Sequence, residues 1–339
     1  MKKILLTGGA GYIGSHIAVA LVDSGFEPIV LDNFCNSSPS VIPAIESIVN
    51  KPIRFYDADC CDVNALLKIV EKEKTIDGII HLAAYKAVGE SMEKPLEYYE
   101  NNIGAMMAVM RTIKNFDLSN FVFSSSCTVY GTPEKQPVTE DSPWQDAFSP
   151  YGYTKQVCER LMQDFQNANP EMKQVSLRYF NPIGAHPSGK IGELPIGKPN
   201  NLVPFITQVA AGIREKITVF GDDYNTPDGT CIRDYIHVTD LAMAHVRALN
   251  FMMNKTEPRL SVFNIGTGFG VSVKEIINMF QEVNKVPIVV EYGERRKGDV
   301  EAIYADSEKA NKELGWKAQY DTRDALKHAW NWQRNLKQQ

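Results

Sequence analysis

The stretch Thr7-Gly8-Gly9-Ala10-Gly11-Tyr12-Ile13-Gly14 decides the fold of this 339-residue chain. It follows a short apolar run, predicted to form a strand over 3–7, and it begins a helical pattern over 12–24. Gly8, Gly11 and Gly14 carry no side chain, so the backbone can turn tightly and a pyrophosphate can approach the helix N-terminus. The stretch therefore predicts a dinucleotide-binding turn between the first strand and the first helix.

The second predicted strand, over 28–32, ends in an aspartate that sharpens this prediction. Asp32 lies 18 residues beyond Gly14. A carboxylate at this position accepts a hydrogen bond from a ribose 2′-hydroxyl and repels a 2′-phosphate, so the pattern favours NAD over NADP. The alternative is a structural glycine turn followed by an unrelated surface aspartate.

Short apolar strands alternate with longer helical patterns through the first half of the chain. Further strands are predicted over 53–57, 78–83, 120–125 and 174–180, and further helices over 62–74, 95–116 and 150–168. The strands are continuous runs of Ile, Val, Leu and Phe, which is typical of a parallel sheet covered on both faces. The pattern predicts an α/β fold, a Rossmann-type doubly wound parallel sheet with a smaller mixed α/β C-terminal substrate domain.

The composition changes near residue 181, and the boundary between the two domains is predicted there. Residues 182–204 are rich in Gly, Pro and Asn and are predicted to be loop. Helices are predicted over 203–213, 239–253, 273–284 and 321–335, and strands over 217–220 and 261–265. We expect an NAD-binding domain at 1–181, to which part of the C-terminal region returns, and a substrate-binding domain at 182–339.

Composition narrows the class of protein. Hydrophobic residues make up 44% and charged residues 23% of the chain, as in soluble globular proteins. The net charge of −5 disfavours a nucleic-acid partner, and no apolar stretch is long enough to span a membrane. The six cysteines, with Cys60 and Cys61 adjacent, fit neither a disulfide framework nor a metal site. These features predict a cytoplasmic protein without a bound metal.

A second glycine-rich stretch, Gly266-Thr267-Gly268-Phe269-Gly270, also lies between a predicted strand and a predicted helix. Glu291 follows it by 21 residues and imitates the acidic partner of a nucleotide-binding turn. However, Ser272 and Glu275 have the spacing of a capping box, which would satisfy the helix start with side chains. We predict a plain turn here, with a second cofactor site as the alternative.

A pair of residues suited to proton transfer begins the helix predicted over 150–168. Tyr151 and Lys155 are four residues apart and share one helix face. A nearby ammonium and a positive nicotinamide ring both favour the phenolate, so Tyr151 is predicted to act as a general base. Ser126 follows a predicted strand end, where ligands bind in such folds, and can share the proton. The alternative is an ordinary helical Tyr-Lys pair.

These motifs carry a family resemblance. Thr-Gly-x-x-Gly-x-x-Gly with Tyr-x-x-x-Lys resembles the extended short-chain dehydrogenase/reductase family. The stretches 101–102, 124–131, 150–152, 178–189, 228–230, 233–238 and 295–299 are similar to those of the UDP-glucose 4-epimerases within it, and the resemblance covers about residues 3–335. It implies an NAD-dependent isomerase of galactose metabolism that interconverts UDP-galactose and UDP-glucose. It also implies a homodimer built on the helices near 95–116 and 150–168.

The resemblance assigns three sets of residues. The catalytic set is Tyr151 as the base, Lys155, which tunes it, and Ser126, which bonds the sugar 4-hydroxyl. The NAD-binding set is Gly8, Gly11, Tyr12, Ile13, Gly14, Asp32, Asn33, Asp59, Cys60, Leu82, Ala83, Ala84, Lys86, Asn101, Ser124, Tyr151, Lys155 and Phe180. The substrate-binding set is Ser126, Tyr151, Asn181, Asn201, Phe220, Arg233, Arg296, Asp299 and Ile303.

Three alternatives to this function stay open from the sequence. The related nucleotide-sugar 4,6-dehydratases carry an Asp-Glu pair where this chain has Cys127-Thr128, so the chain lacks the acid for water loss. Ile303 lies where a large residue restricts the sugar pocket and a small one admits N-acetyl groups, so epimerisation of UDP-N-acetylhexosamines or uronic sugars is a second alternative. A regulatory protein that binds NAD without catalysis is the third.

Overall fold

A computed structural model describes residues 1–255, 257, 259–296 and 299–336. The strands are β1 (Lys3–Thr7), β2 (Glu27–Asp32), β3 (Arg54–Asp57), β4 (Gly78–His81), β5 (Asn120–Ser124), β6 (Lys173–Tyr179), β7 (Asn181–Ile183), β8 (Ile217–Phe220), β9 (Ile232–His237), β10 (Leu260–Ile265), β11 (Gly270–Ser272), β12 (Val290–Gly293) and β13 (Ala302–Ile303). The helices are α1 (Tyr12–Asp23), α2 (Val41–Val49), α3 (Val63–Glu73), α4 (Val88–Glu93), α5 (Pro95–Asn115), α6 (Pro150–Ala168), α7 (Leu202–Ala210), α8 (Val238–Asn254), α9 (Val273–Asn284) and α10 (Thr322–Leu336).

Seven strands form a central parallel sheet in the order β10-β6-β5-β4-β1-β2-β3. The order reverses between β1 and β4, where Thr7 pairs with His81. Ligands of doubly wound sheets bind outside the carboxyl ends of the strands at this kind of switch point. The predicted fold class is confirmed, and the glycine turn after β1 lies at the position where the fold binds nucleotides.

Side chains of the central strands alternate between two apolar layers. Ile4 and Leu6 of β1 lie in the cluster formed with α1 and α8, and Leu5 lies in the cluster on the opposite face, formed with α3, α5 and α6. All three are fully buried. Because both faces are covered, a strand needs an apolar residue at every position, which explains the continuous runs in the sequence.

The region after residue 181 contributes to both parts of the molecule. Its strand β10 forms the edge of the central sheet beside β6, and its helix α8 packs on α1. The rest forms a second layer, in which β7, β11 and β13 pair with β9, while β12 pairs with β8. Helices α7, α9 and α10 enclose its own apolar cluster. The division at residue 181 stays a prediction, since the chain crosses between the layers.

The structure contains elements that the sequence pattern did not predict, namely α2, α4, β7, β9, β11, β12 and β13. The sequence pattern missed α2, because Pro43 reads as a helix breaker, although a proline in the first turn of a helix is tolerated. The predicted loop 182–204 contains most of β7 and the first residues of α7. Pairing with β9 creates β7, and such pairing leaves no signal in three residues of sequence. Within the described ranges, none of the helices combines the length and apolar character of a membrane span.

Candidate active site

The turn before α1 is shaped by glycines that have no room for a side chain. Gly8 has a φ of +71°, and a Cβ atom on it would lie 2.8 Å from the backbone nitrogen of Ala83. A Cβ atom on Gly14 would lie 2.1 Å from the carbonyl oxygen of Gly8. The three backbone segments therefore pack in direct contact, which holds the N-terminus of α1 at the end of β1.

The first turn of α1 presents backbone N–H groups without side-chain partners. Its N-cap is Gly11, and no side chain in the described part of the chain caps the helix or places an acid in its first turn. The first N–H groups of a helix lack intrahelical acceptors, and the helix dipole adds positive potential there. Ile13 and Gly14 of this turn are buried. The turn thus fits the pyrophosphate of a dinucleotide.

Asp32 lies at the rim of this turn and is held by its neighbours. Its carboxylate accepts hydrogen bonds from the backbone of Ala10 at 3.0 Å and of Phe34 at 2.9 Å, and from the Ser37 hydroxyl at 2.9 Å. The adjoining Asn33 amide donates to Asp59 at 3.3 Å. Three residues of the predicted NAD-binding set, Asp32, Asn33 and Asp59, therefore lie together at the ends of β2 and β3.

The loop after β4 completes the predicted cofactor site. The backbone nitrogen of Leu82 donates to the carbonyl of Thr7 at 3.1 Å, and Ala83 lies against Gly8 as described. The Lys86 ammonium lies 5.8 Å from the centre of the Tyr12 ring. Cys60 is buried beside His81, and Asn101 accepts a hydrogen bond at its backbone oxygen from the Cys61 thiol. Residues at or just after the carboxyl ends of β1, β2, β3 and β4 therefore form the predicted cofactor side of the site.

The predicted catalytic residues meet at the end of β5. The hydroxyl of Ser149 caps α6 by accepting from the Gly152 backbone at 3.2 Å, which places Tyr151 in the first helical turn. The Lys155 ammonium donates to the Ser124 carbonyl at 2.7 Å and lies 5.9 Å from the centre of the Tyr151 ring. Both side chains are buried, as is that of Ser126. The arrangement unites a phenol, an ammonium and a hydroxyl at one strand end.

Burial has the largest effect on the pKa values of Tyr151 and Lys155. Desolvation raises the pKa of Tyr151 well above its ordinary value, with Tyr179 adding to the effect and a hydrogen bond from Ser126 opposing it. Desolvation also lowers the pKa of Lys155 to about 8, against the pull of Cys158 and Glu159. For the chain without its cofactor, burial therefore has the largest effect on the phenol, and the role of Tyr151 as a base stays a prediction. A further positive charge is needed, and an oxidised nicotinamide has one.

Four predicted substrate residues lie together in the C-terminal layer. Asp299 pairs with Arg233 at 3.7 Å and with Arg296 at 3.3 Å, and the Arg296 guanidinium lies 5.1 Å from the centre of the Phe220 ring. Two guanidinium groups beside an aromatic ring suit a nucleoside diphosphate. Lys297 and Gly298 of the motif 295–299 lie outside the described residues.

Strand pairing places two further predicted substrate residues beside β9. Asn181 in β7 pairs with β9, and Ile303 in β13 lies opposite Arg233 of β9. Ile303 is buried in one cluster with Phe180, the predicted neighbour of the nicotinamide. Asn201 is the N-cap residue of α7 and is exposed. The two predicted sets therefore meet around Phe180 and Ile303.

Comparison with known proteins identifies the family. A family model described as GDP-mannose 4,6 dehydratase matches residues 5–329. A UDP-glucose 4-epimerase of Haemophilus influenzae is 46% identical over 332 residues, covering 98% of this chain and 97% of that protein. The chain belongs to the UDP-glucose 4-epimerase family.

Two solved structures of this epimerase family are similar over nearly the whole chain. The UDP-glucose 4-epimerase of Bifidobacterium longum in complex with NAD+ and UDP is 43% identical, with a TM-score of 0.95 and 98% coverage of both chains. The enzyme of Stenotrophomonas maltophila with bound NAD and formylated UDP-arabinopyranose is 43% identical, with a TM-score of 0.96, covering 100% of this chain and 99% of that chain.

Sequence reasoning missed several residues around the site of this epimerase family member. His245 in α8 lies 3.3 Å from the Ser124 hydroxyl, and Glu159 accepts from Ser125 at 2.6 Å and pairs with Arg178 at 2.7 Å. His245 and Glu159 are both buried on helices, where each is a polar residue within an apolar pattern and belongs to no recognisable motif. A polar residue at an otherwise apolar position of a helix is the signal by which the sequence could have indicated these two residues.

The second glycine turn is closed by the protein's own groups. The predicted capping box of Ser272 and Glu275 is confirmed. The buried Asp234 carboxylate accepts from Thr267 at both its backbone, at 2.8 Å, and its hydroxyl, at 2.7 Å, and from the Gly268 backbone at 3.0 Å. The amides of the turn and of the helix start thus already have acceptors within the protein, which favours the plain turn over a second cofactor site.

Proposed function

We propose that this chain is an NAD-dependent UDP-glucose 4-epimerase that interconverts UDP-galactose and UDP-glucose. The observation that carries the proposal is the meeting of Tyr151, Lys155 and Ser126 at one strand end, in a fold whose α1 turn has no capping side chain among the described residues and fits NAD. The identity to the Haemophilus influenzae enzyme and the likeness to NAD-bound epimerases support the same activity.

The residues divide the proton and hydride chemistry between protein and cofactor. NAD, held by the first turn of α1 and by Asp32, would supply the hydride chemistry at sugar carbon 4, an oxidation followed by a reduction from the opposite face. Tyr151 accepts the proton of the 4-hydroxyl as phenolate and returns it afterwards, and Ser126 shares that proton. Lys155, fixed by the Ser124 carbonyl, holds positive charge beside the phenolate.

Anchoring of the nucleotide allows the sugar to turn between the two hydride transfers. Arg233 and Arg296 have guanidinium groups that can bond two diphosphate oxygens each, and Asp299 fixes both of them. The 4-keto sugar can then rotate about its diphosphate link while UDP stays bound. Positioning, rather than new covalent chemistry, is the contribution of this layer.

The absence of the acid pair separates this activity from dehydration, the activity named by the family model. Cys127 begins the short helix after Ser126, and burial raises the pKa of its thiol to about 12. A neutral thiol next to Thr128 cannot supply the carboxyl chemistry of a dehydratase. Epimerisation, which returns the hydride to the same carbon, needs no such acid.

The test is conversion of UDP-galactose to UDP-glucose by the purified, NAD-loaded protein without added NADH. We expect conversion by the wild type, and a loss of about 10²–10⁴-fold in kcat for Tyr151→Phe because the proton acceptor is gone. Absence of conversion by wild-type protein that holds NAD would overturn the proposal. Equal rates of the variant and the wild type would overturn the assignment of the base.

We infer in addition that the chain forms a cytoplasmic homodimer through α5 and α6. Met106 and Met110 of α5 are buried in the core, but Met107 is 43% exposed and Tyr153 of α6 is 47% exposed. Exposed apolar side chains on neighbouring helices support an interface. Light scattering should give twice the chain mass, and Met107→Lys combined with Tyr153→Asp should halve it; a monomeric wild type would contradict the inference.

A further inference from the structure

The strap, defined here as residues 184–193, leads from the substrate strand β7 towards α7 and contacts the nucleotide turn. The Tyr12 hydroxyl donates to the Gly184 carbonyl at 2.7 Å, so one end of the strap is bonded to the first turn of α1. The other end lies on α10, where the Trp332 indole nitrogen donates to the Glu193 carbonyl at 3.1 Å. A Cβ atom on Gly192 would lie 2.5 Å from the Trp332 ring, so this contact is close.

The side chain of Glu193 joins the two predicted binding sets. Its Oε1 atom accepts from the Lys86 ammonium at 3.1 Å and from the Asn201 amide at 2.6 Å. Lys86 belongs to the predicted NAD set and also lies over the Tyr12 ring, whereas Asn201 belongs to the predicted UDP set. One carboxylate oxygen therefore links the strap, a cofactor residue and a substrate residue.

The carboxylate end of this contact is shielded from solvent, whereas its ammonium end is exposed. The Glu193 side chain is 11% exposed, against 43% for Lys86. Exposed ion pairs contribute little to stability, and a charge-assisted hydrogen bond to a shielded carboxylate contributes more. The Glu282–Arg323 pair, 2.9 Å long with both side chains largely exposed, gives the chain's own example of the weak kind.

We propose that Glu193 is a positioning residue that fastens the strap over bound NAD and couples the retention of NAD to occupancy of the UDP site. This inference rests on the proposed function, since it needs NAD at the α1 turn and UDP near Asn201. Through Lys86, Glu193 holds the strap against the nucleotide turn. Through Asn201, a ligand on the substrate side reinforces the same carboxylate contact and slows escape of the cofactor.

Glu193→Gln tests the charge with little change in shape. NAD-loaded protein is diluted into a NAD scavenger, and NAD release is followed with and without UDP. We expect Glu193→Gln to release NAD about tenfold faster than the wild type, because the ion pair with Lys86 is lost. UDP should slow release from the wild type and have little effect on the variant. Glu282→Gln, the matched control on α9, should behave as the wild type in both conditions.

The link through Lys86 is tested by a double-mutant cycle. If Glu193 acts through the ammonium, Lys86→Met combined with Glu193→Gln should release NAD no faster than Lys86→Met alone. If the two substitutions accelerated NAD release independently, so that their factors multiplied in the double variant, the inference would be overturned. It would also be overturned if Glu193→Gln released NAD at the wild-type rate and UDP slowed that release as in the wild type. A wild type that binds no NAD would instead overturn the proposed function. Thermal midpoints of all variants, measured alongside, should stay within a few degrees of the wild type.

Discussion

The glycine-rich turns Thr7–Gly14 and Gly266–Gly270 both follow a strand of the central sheet, but the first leads directly into α1 and the second leads into β11 before α9. They also differ in the acceptors that meet the backbone amides. In the first, close backbone packing holds the N-terminus of α1, and its first amides meet no capping side chain among the described residues. In the second, the Asp234 carboxylate accepts hydrogen bonds from the amides of Thr267 and Gly268, and a capping box provides acceptors at the start of α9. A glycine pattern therefore indicates a tight turn, and the neighbouring acceptors decide whether that turn binds a ligand.

We call Thr7–Gly14 the open turn and Gly266–Gly270 the closed turn. The largest effect is expected from a side chain that obstructs the open turn. A Cβ atom on Gly14 would lie 2.1 Å from the Gly8 carbonyl oxygen and 2.7 Å from the Gly9 Cα atom, so Gly14→Ala forces the backbone apart. We expect loss of bound NAD, loss of epimerase activity by about 10²-fold or more, and destabilisation of roughly 2–4 kcal/mol. NAD released by denaturation and urea unfolding measure these effects.

Gly268→Ala is the matched control in the closed turn. Gly268 has a φ of +85°, and the nearest atom to its Cβ position is 3.8 Å away, so strain is the only cost. It should cost about 1 kcal/mol and leave the NAD content unchanged. Equal NAD loss in the two variants would remove the distinction between the turns.

The closed turn should depend on its internal carboxylate. Asp234→Asn replaces an acceptor with a donor that faces backbone N–H groups, and it leaves buried donors unsatisfied. We expect destabilisation of about 1–3 kcal/mol in urea unfolding, with the NAD content retained. A variant with wild-type stability would show that the carboxylate does not hold this turn.

Asp32 of the open turn should act on cofactor choice more than on stability. Asp32→Asn removes the charge that opposes a 2′-phosphate, so binding of NAD should weaken about tenfold and the preference over NADP should fall. Titration of protein freed of cofactor with each dinucleotide measures both constants. An unchanged ratio of the two constants would contradict the role assigned to Asp32.

The smallest expected effect is a pH dependence beside the open turn. Burial lowers the pKa of Lys155 to about 8 from 10.5, so between these values the unfolded chain binds more protons than the folded chain. The free energy of unfolding should therefore rise with pH across that window, by about 1 kcal/mol from pH 8 to pH 9. Lys155→Met should lack this rise in urea unfolding, and a parallel rise in both proteins would exclude Lys155 as its source.

The sequence predicted the parts of the molecule that local patterns determine. The bounds of β1, β8 and α9 match closely, Asp32 contacts the glycine turn, and Lys155 lies beside Tyr151 on α6. The assignment of each predicted site residue to a ligand stays a prediction, although the structure brings the sets together.

Features that depend on tertiary contact were outside the reach of local patterns. The closing carboxylate Asp234 lies 32 residues before Gly266, and Glu193 lies in a loop without motif spacing. The pKa of Tyr151 followed burial rather than the nearby ammonium, because the sequence shows proximity along a helix but not the depth of the site. Each of these depends on segments that meet only in the folded chain.

A crystal structure of the protein with NAD tests the central claim most directly. The account predicts the pyrophosphate at the first turn of α1 and the nicotinamide ring beside Tyr151, with the turn Gly266–Gly270 still closed by Asp234. A dinucleotide at the second turn, or a nicotinamide ring out of reach of the Tyr151 hydroxyl, would contradict it.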